Sequence, residues 1–273
     1  MFGTIKSGMA TSMFEIAVVS NNVANSGTTA FRKSNTSFSD LYSGGSADSV
    51  ARLSKGVGSI VDGTKQSTEQ GGLLTRDGVL NLALIGKGMF VSAAPSATAG
   101  AIGTISYTRD GEFSLDKDGQ LRTSTNDFVM GYGPGVTPAE ATPLVNLKVP
   151  VKKDGDGGAQ LTALEIGTDG KLMATYGSAP AELLGTIAIA SFPNEIALRQ
   201  IGMNRFLATD GAGTPKIGVG GQDGFGMIQS GTLETSNVDL TIELTDMIRA
   251  QQQFSGSSRI LQTYSDMIEK LTR

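Results

Sequence analysis

The sequence predicts an α+β protein in which long helices at both chain ends form a coiled-coil-like core and an antiparallel, β-rich domain occupies the middle. Three observations lead to this class. Apolar residues recur at helical spacing near both ends of the 273-residue chain, glycine reaches 37 residues, and Asp-Gly pairs recur through the middle. A chain of this length can bury one or two hydrophobic cores.

A first helix is predicted from an apolar stripe near the N-terminus. With Ser12 included, its members are alternately three and four residues apart, so they lie on one face of a helix. Asn25 and Ser26 end the pattern, and Gly27 is predicted to cap the helix. The stripe consists of Phe2, Ile5, Met9, Ile16, Val19 and Val23, with Ser12 in the remaining position.

A second helix, of about 35 residues, is predicted near the C-terminus, far above the mean helix length. Ser236 or Asn237 can cap its start, and no proline interrupts the chain from there to Arg273. Its apolar seam has the heptad spacing that is typical of coiled coils. The seam consists of Met247, Phe254, Leu261 and Ile268, alternating with Ala250, Ser257, Tyr264 and Leu271.

The length of the second helix favours a role between molecules. Such a helix extends about 50 Å, whereas a globular middle of about 160 residues has a diameter of about 30–35 Å. The alternatives are that the terminal helices pack on the central domain or pair as a hairpin within one molecule. We expect the seam to contact other copies of the chain as well.

The middle, from Val57 to Gly231, is predicted to be a hairpin-rich antiparallel fold. Short runs alternate apolar and polar residues, and Asp-Gly pairs supply the positive φ angles of tight hairpin turns. Residues 43–56 are expected to be flexible or to be ordered only by their neighbours, and a turn is expected at 194–200. The Asp-Gly pairs begin at Asp62, Asp77, Asp110, Asp118, Asp154, Asp156, Asp169, Asp210 and Asp223.

Four segments follow from these patterns. Residues 1–32 contain the N-terminal helix, and residues 33–75 lie between it and the β-rich middle. Residues 76–231 form the central β domain, with an irregular loop at about 134–160. Residues 232–273 contain the C-terminal helix.

The composition excludes several classes of chemistry. The chain has no Cys, His or Trp, which excludes disulfides, thiolate nucleophiles, Ser-His-Asp triads and zinc sites of imidazole or thiolate. The net charge of -4 gives no reason to expect nucleic acid or an anionic membrane as a partner. No apolar run is long enough to span a bilayer and no secretory signal is recognisable.

Three candidate sites for chemistry are better explained as turns. In the Asp154–Glu165 stretch, Asp156 and Glu165 fit positions 3 and 12 of a calcium loop, but positions 5 and 6 do not fit and the flanking helices are missing. The Gly86-Lys87-Gly88 run lacks phosphate-loop spacing, which leaves a hairpin turn. Asp110 and Glu112 lie beside an Asp-Gly turn, without the aromatic residues of a glycosidase cleft. We therefore predict no catalytic, metal or cofactor-binding residue and no enzymatic activity.

Four segments carry a specific resemblance. They read SNNVANSGTTAFR at 20–32, LALIGKGMFV at 82–91, TRDGEF at 108–113 followed by DGQL at 118–121, and GTLETSNVDL at 231–240. In this order they resemble the motifs of the bacterial flagellar rod and hook proteins. The chain departs once, at Ala30, where the family usually has Gly before the Phe.

The resemblance implies a structural subunit that polymerises into a helical tube and transmits motor torque, with the β domain outside. It makes residues 1–32 and 232–273 the N- and C-terminal assembly helices and residues 33–75 the connector between the tube and the β domain. It implies export through the flagellar type III channel without a cleaved signal, and a place in the basal body or hook. The implied partners are further copies, adjacent rod and hook proteins, the export apparatus and the assembly cap, with no nucleic acid and no membrane insertion. The implied self-assembly residues are Phe2, Ile5, Met9, Ile16, Val19, Asn22, Val23, Asn25, Phe31, Ser236, Asn237, Leu240, Leu244, Met247, Phe254, Leu261, Tyr264, Ile268 and Leu271.

The identity within the family is left open between rod and hook. Hook proteins usually run well beyond this length and carry an additional outer β domain, which favours a rod-type subunit. The FSDLY segment at 38–42 resembles hook proteins, and the connector insertion of the distal rod is missing. A more distant alternative is a β-rich extracellular adhesin or binding module with helical ends.

Overall fold

The structure is a computed structural model that describes residues 2–43, 55–96, 103–136, 143–152, 159–222 and 224–272. The chain forms two compact units. Unit 1 consists of Met1–Gly27, Arg32–Ser67 and Asn237–Arg273, and unit 2 consists of Thr28–Phe31 and Thr68–Ser236.

Unit 1 contains two helices and a β-hairpin. The antiparallel hairpin pairs Ser34 with Gln66 at its base and Ser43 with Lys55 at its far end, with two register shifts between them. The first helix packs against both the second helix and the second strand. The elements are α1 (Phe2–Ala24), β1 (Ser34–Ser43), β2 (Lys55–Gln66) and α2 (Leu240–Thr272).

Both helices are present, but their caps differ from the prediction. The Asn25 side chain donates to the Asn21 carbonyl at 2.9 Å and closes the end of α1, while the φ of Gly27 is outside the left-handed region of a glycine cap. Asp239 Oδ1 accepts the N–H groups of Thr241 and Ile242 at 2.8 and 3.3 Å. Asp239, rather than Ser236 or Asn237, therefore caps α2.

The predicted coiled-coil-like core of long helices is wrong, although the α+β class is correct. Among the described residues of α1 and α2, the buried apolar side chains are those of Val19 and Ala250. The other buried positions on the helices are polar, as at Thr11, Asn22 and Glu243. The larger apolar side chains of the predicted seam, such as Met247 and Phe254, are only half-buried, and the hydrophobic core lies among the strands instead.

Unit 2 consists of short strands. They are β3 (Leu73–Thr75), β4 (Leu82–Ile85), β5 (Met89–Ala93), β6 (Ile105–Thr108), β7 (Phe113–Leu115), β8 (Leu121–Thr123), β9 (Phe128–Tyr132), β10 (Val145–Asn146), β11 (Leu161–Ile166), β12 (Lys171–Tyr176), β13 (Glu182–Ile187), β14 (Ile189–Ser191), β15 (Arg199–Gly202), β16 (Arg205–Leu207), β17 (Lys216–Gly218), β18 (Met227–Ser230) and β19 (Thr232–Glu234). Two 3-10 turns, Glu195–Ala197 and Asp210–Ala212, lie between them, the first where a turn is predicted.

Most of these strands form one antiparallel sheet. Its main path runs β11-β12-β13-β9-β5-β6-β16-β15. Strands β8 and β10 pair with β9, β7 pairs with β8, and β14 joins β5 to β17. The pairs β18–β4 and β19–β3 complete the described strands of unit 2.

The central strands send alternate side chains into two hydrophobic clusters. In β5, Val91 belongs to one cluster and Phe90 to the other, and Met130 and Val129 of β9 divide in the same way. Because successive strand residues point to opposite faces, the sheet is buried on both sides. These two clusters are the core of unit 2.

Asp-Gly pairs predict only some of the turns. Gly119 and Gly170, with φ of 73° and 80°, lie in the turns between β7 and β8 and between β11 and β12. Gly63, however, lies inside β2 at a register shift, where the pair accommodates a bulge. Gly111 is required by close approach, because a Cβ there would lie 1.8 Å from the Leu82 carbonyl oxygen.

Two further predictions differ from the structure. The Gly86–Gly88 segment connects β4 to β5, but β4 pairs with β18 and β5 with other strands, so the predicted hairpin is wrong. The predicted irregular segment at 134–160 contains β10. Asp154, Asp156, Asp223 and most of the predicted flexible segment 43–56 lie outside the described residues.

Candidate assembly surface

The residues predicted for self-assembly on α1 line its contact with the rest of unit 1. Ile5, Met9, Ile16 and Val23 are half-buried and Val19 is buried. Phe2, at the start of the helix, is exposed. Except for Phe2, these positions are therefore covered at least in part within the molecule, and their role in self-assembly stays a prediction.

The residues predicted on α2 divide into two groups. Met247, Phe254, Leu261 and Tyr264 are half-buried. The predicted residues nearer the ends of the helix, Leu240, Leu244, Ile268 and Leu271, are exposed.

The two helices are antiparallel. Asn22 near the end of α1 hydrogen-bonds to Glu243 near the start of α2. Toward the other end, a Cβ on Gly8 would lie 3.9 Å from the Ser257 hydroxyl oxygen. Residue numbers thus rise along one helix as they fall along the other.

Asn22 connects three segments of unit 1. Its Nδ2 donates to Glu243 Oε2 at 3.0 Å and to the Ser34 carbonyl at 2.9 Å, while its Oδ1 accepts the Ser34 N–H at 3.0 Å. Asn22 is 1% exposed and Glu243 is 4% exposed. Because both side chains are buried, removing the polar group of either one would leave its partner with an unsatisfied buried polar atom.

Asn237 reinforces the same junction. Its Oδ1 accepts the Lys33 N–H at 2.7 Å, so the residues before α2 hold the backbone that leads into β1. Asn22 and Asn237 were predicted as site residues, whereas Glu243 was not. The signal for Glu243 was its position on the α2 face that also carries Met247 and Ala250.

A second junction, in unit 2, joins motifs that are far apart in sequence. Arg109 Nη1 lies 3.2 Å from Glu234 Oε2, and both side chains are almost completely buried. Arg109 Nη2 also donates to the Gly86 carbonyl at 2.6 Å, and Glu234 Oε1 accepts the Gly71 N–H at 3.1 Å. Arg109 and Glu234 lie in two of the motifs that carry the resemblance, and neither residue is predicted as a site residue from the sequence.

The N-terminal motif ends at this second junction. The Ala30 N–H donates to the Glu234 carbonyl at 2.8 Å, and Phe31, a predicted site residue, is buried. Ala30 has φ of 55° and is 2% exposed. This left-handed conformation favours glycine, which explains why glycine is usual at the position where this chain departs from the motif.

Unit 1 exposes most of its large apolar side chains. Among its described residues, Val19 and Ala250 are the buried apolar side chains, whereas unit 2 buries many. The large apolar side chains that unit 1 exposes are Phe2, Met13, Phe38, Leu41, Val57, Ile60, Leu240, Ile242, Leu244, Ile248, Ile260, Met267, Ile268 and Leu271. We call this set the apolar surface of unit 1.

One carboxylate lies within the contact between the helices. Burial raises the pKa of Glu15 on α1, and the neighbouring Asp246 raises it further, while Arg249 lowers it. Arg249 also pairs with Asp246 at 3.1 Å. The contact therefore holds two carboxylates and a single guanidinium close together.

The candidate sites for chemistry are occupied by structural contacts. Asp110 Oδ1 accepts the Glu112 N–H at 3.1 Å and its Oδ2 accepts the Ser124 hydroxyl, so the proposed carboxylate pair is a turn, and burial raises the pKa of Asp110. Open grooves of about 450 and 510 Å³ in unit 2 are lined by Arg109 and by the Asp169–Lys171 pair, respectively. In both grooves these charged groups already have partners.

The described ranges contain neither a carboxylate cluster suited to a metal ion nor a helix suited to crossing a bilayer. No group of three or more Asp and Glu side chains there is placed to hold a metal ion. Neither α1 nor α2 combines the length and the apolar character that crossing a bilayer requires.

Comparison with known proteins identifies the family. Residues 229–273 match the model described as Flagellar basal body rod FlgEFG protein C-terminal, and residues 83–174 match Flagellar hook protein FlgE/F/G D1 domain. The Flagellar basal-body rod protein FlgG of Caulobacter vibrioides is 32% identical over 97% of this chain and 95% of that protein. The chain belongs to the flagellar rod and hook protein family.

Within this family the chain is of the rod type. The FlgG protein of Bacillus subtilis is 31% identical over 97% of this chain and 95% of that protein. The Flagellar hook protein FlgE of Brucella suis is 33% identical, but over only 43% of this chain and 30% of that protein. The resemblance found in the sequence is confirmed, and the hook alternative is the weaker one.

Proposed function

We propose that this rod-type protein polymerises with further copies of itself into a helical tube that transmits motor torque, and that the apolar surface of unit 1 carries the assembly. The observation that supports this most directly is the imbalance within unit 1. Its described residues bury little apolar surface, yet large apolar side chains are exposed on both helices and on the hairpin. Large exposed apolar side chains that are this numerous on a unit with so few buried ones are what an interaction surface would present.

Burial of the apolar surface of unit 1 between copies would supply enough free energy for assembly. Each large apolar side chain that becomes fully buried contributes about 1.5–3 kcal/mol. The proposed assembly residues are those predicted from the sequence together with the rest of the apolar surface, such as Met13 and Ile260. The half-buried positions Met247, Phe254 and Leu261 would act by holding α2 in place.

The proposed location is the flagellar basal body, and the proposed role is structural and not enzymatic. The full-length relatives are named basal-body rod proteins. Adjacent rod and hook proteins, the export apparatus and the assembly cap are the proposed partners. Export without a cleaved signal is part of the same proposal.

The proposal is tested by Met13→Asp in cells that lack the native protein. Met13 is exposed on α1, so a charge there leaves the fold of the monomer intact but opposes burial between copies. We expect loss of motility and truncated rods in electron micrographs of isolated basal bodies. Ser20→Asp is the matched control, because Ser20 is also exposed, two turns further along the same helix.

Two results would contradict the proposal. One is full-length rods and normal motility with Met13→Asp. The other is a complete rod with a missing hook in cells that lack the protein, which would support the hook alternative.

A further inference from the structure

The register of the two helices leaves the end of α2 without α1 beside it. Asn22 lies opposite Glu243 and Gly8 lies opposite Ser257. Continued at the same rise per residue, this register places Phe2, the first residue of α1, opposite about residue 263 of α2. The last two turns of α2 therefore extend past the start of α1.

Two exposed apolar stripes lie on α2 outside its contact with α1. The N-terminal stripe consists of Leu240, Leu244 and Ile248, spaced at i, i+4 and i+8. The C-terminal stripe consists of Ile260, Met267 and Leu271, spaced at i, i+7 and i+11. Both spacings keep side chains on one side of a helix, and the rows are of similar length, about 12 and 16 Å.

The two stripes lie on nearly opposite sides of the helix. Leu271 follows Leu244 by about seven and a half turns, so the two side chains point in opposite directions. When one helix is moved parallel to itself to lie beside a second copy, the faces that meet are opposite faces. The C-terminal stripe of one copy can therefore lie against the N-terminal stripe of a copy displaced along the helix axis.

The charges at the two ends of α2 favour the same arrangement. The N-terminus of a helix carries a partial positive charge and the C-terminus a partial negative charge, so the stagger brings opposite ends side by side. Among the side chains, Asp239 at the start of α2 and Lys270 in its last turn have opposite charges, whereas Glu243 and Glu269 at the same two ends have the same charge.

We propose that α2 of one copy docks its C-terminal stripe on the N-terminal stripe of α2 in a second copy. This contact uses two different surfaces, so it is head-to-tail, and a displacement along the axis lets it repeat without closing. The inference rests on the proposed function and specifies which surfaces meet.

Disulfide cross-linking tests the contact, because the chain contains no cysteine of its own. Cells would produce the full chain with Leu244→Cys and Leu271→Cys, and isolated basal bodies would be treated with a mild oxidant. The two positions are about 40 Å apart on one helix, far beyond the 4.4–6.8 Å between the Cα atoms of a disulfide. Any bond between them must therefore join two copies.

We expect a ladder of dimers, trimers and larger products on a non-reducing gel. The matched control pairs Ile242→Cys with Leu271→Cys, since Ile242 is also exposed at the start of α2 but lies on nearly the opposite side of the helix from Leu244. It should form at least tenfold less product. Each single variant should form no ladder, because the contact joins unlike positions.

The outcomes separate the inference from the proposed function. Complete rods with no ladder, or an equal ladder from the control pair, would overturn the docking inference alone. Absence of the unsubstituted chain from isolated basal bodies would overturn the proposed function and the docking inference with it.

Discussion

Ala30 shows how one residue can depart from a family pattern at a structural cost. Its φ of 55° is a conformation that costs a residue with a Cβ about 1–2 kcal/mol. The sequence identifies Ala30 as a departure from the motif, but no property of the sequence gives the reason. The reason is the backbone turn that brings the Ala30 N–H to the Glu234 carbonyl.

Substitution of Ala30 should reveal this strain. Ala30→Gly relieves the strain but removes a buried methyl group worth about 0.8 kcal/mol, so the free energy of unfolding should change by less than about 1 kcal/mol. Ala30→Val should destabilise the protein by about 2 kcal/mol or more, because a β-branched side chain tolerates this φ poorly. Chemical denaturation measures the free energy of unfolding of both variants. An Ala30→Val variant as stable as the unsubstituted protein would contradict the left-handed backbone conformation at Ala30.

The buried Arg109–Glu234 pair should matter far more than an exposed pair. Glu234→Gln leaves a buried guanidinium without its counter-charge, which should reduce the free energy of unfolding by about 3–5 kcal/mol. Asp169→Asn, in an ion pair whose side chains are both 55% exposed, should change it by less than about 1 kcal/mol. Equal effects in urea denaturation would show that the two motifs are not joined through this pair.

At the scale of elements, the contact between α1 and α2 should depend on pH. The raised pKa of Glu15 means that its charged form is disfavoured when the helices pair. Stability of the contact should therefore rise as pH falls from above the raised pKa of Glu15 toward its ordinary value of 4.5. Glu15→Gln should strengthen pairing at neutral pH and remove this part of the pH dependence.

Hydrogen exchange of the α1 amides measures the effect. Thr4→Ser is a suitable control, because it retains a hydroxyl at an exposed position of the same helix. Unchanged exchange in Glu15→Gln at neutral pH would contradict the placement of this carboxylate near Asp246.

The helices could be predicted because their periodicity is a local property of the sequence. The side chains that surround each helix could not be predicted, because they come from distant parts of the chain. A heptad pattern shows which side of α2 meets a neighbour, and Met247, Phe254 and Leu261 do lie on that side. It does not show that the neighbour offers polar groups such as Thr11 and Asn22, which is why the predicted core was wrong. The cap of α2 was misplaced because Ser236, Asn237 and Asp239 all suit that role.

The strands illustrate the same limit. Asp-Gly predicts a positive φ at glycine, and Gly119 and Gly170 have it in turns. Gly63 has it within β2, because a bulge satisfies the same preference. Glu234 could not be recognised as a site residue, since its partner Arg109 is distant in sequence, and the only signal for Glu243 was the face of α2 on which it lies.

At the scale of the whole molecule, the two units differ in what holds them together. Unit 2 has a sheet buried on both faces, whereas the buried positions of unit 1 are mostly polar or small. Segments with few buried apolar contacts open with low free energies. The full-length monomer should therefore behave as two regions of different stability.

Hydrogen exchange on dilute monomer measures this difference. We expect the amides of α2 to exchange at least a hundredfold faster than those of β5 and β9, and to become protected in the assembled rod. Equal protection of α2 and the central strands before assembly would contradict a role for neighbouring copies in stabilising unit 1.

The hydrogen bond between Asn22 and Glu243 also sets an order of events during synthesis. The two residues are 221 positions apart, and ribosomes add about 5–20 residues per second. Asn22 therefore waits on the order of 10–40 seconds before its partner exists. A nascent chain that stops before Leu240 carries a first helix whose polar face has no counterpart, while every described strand has already been synthesised.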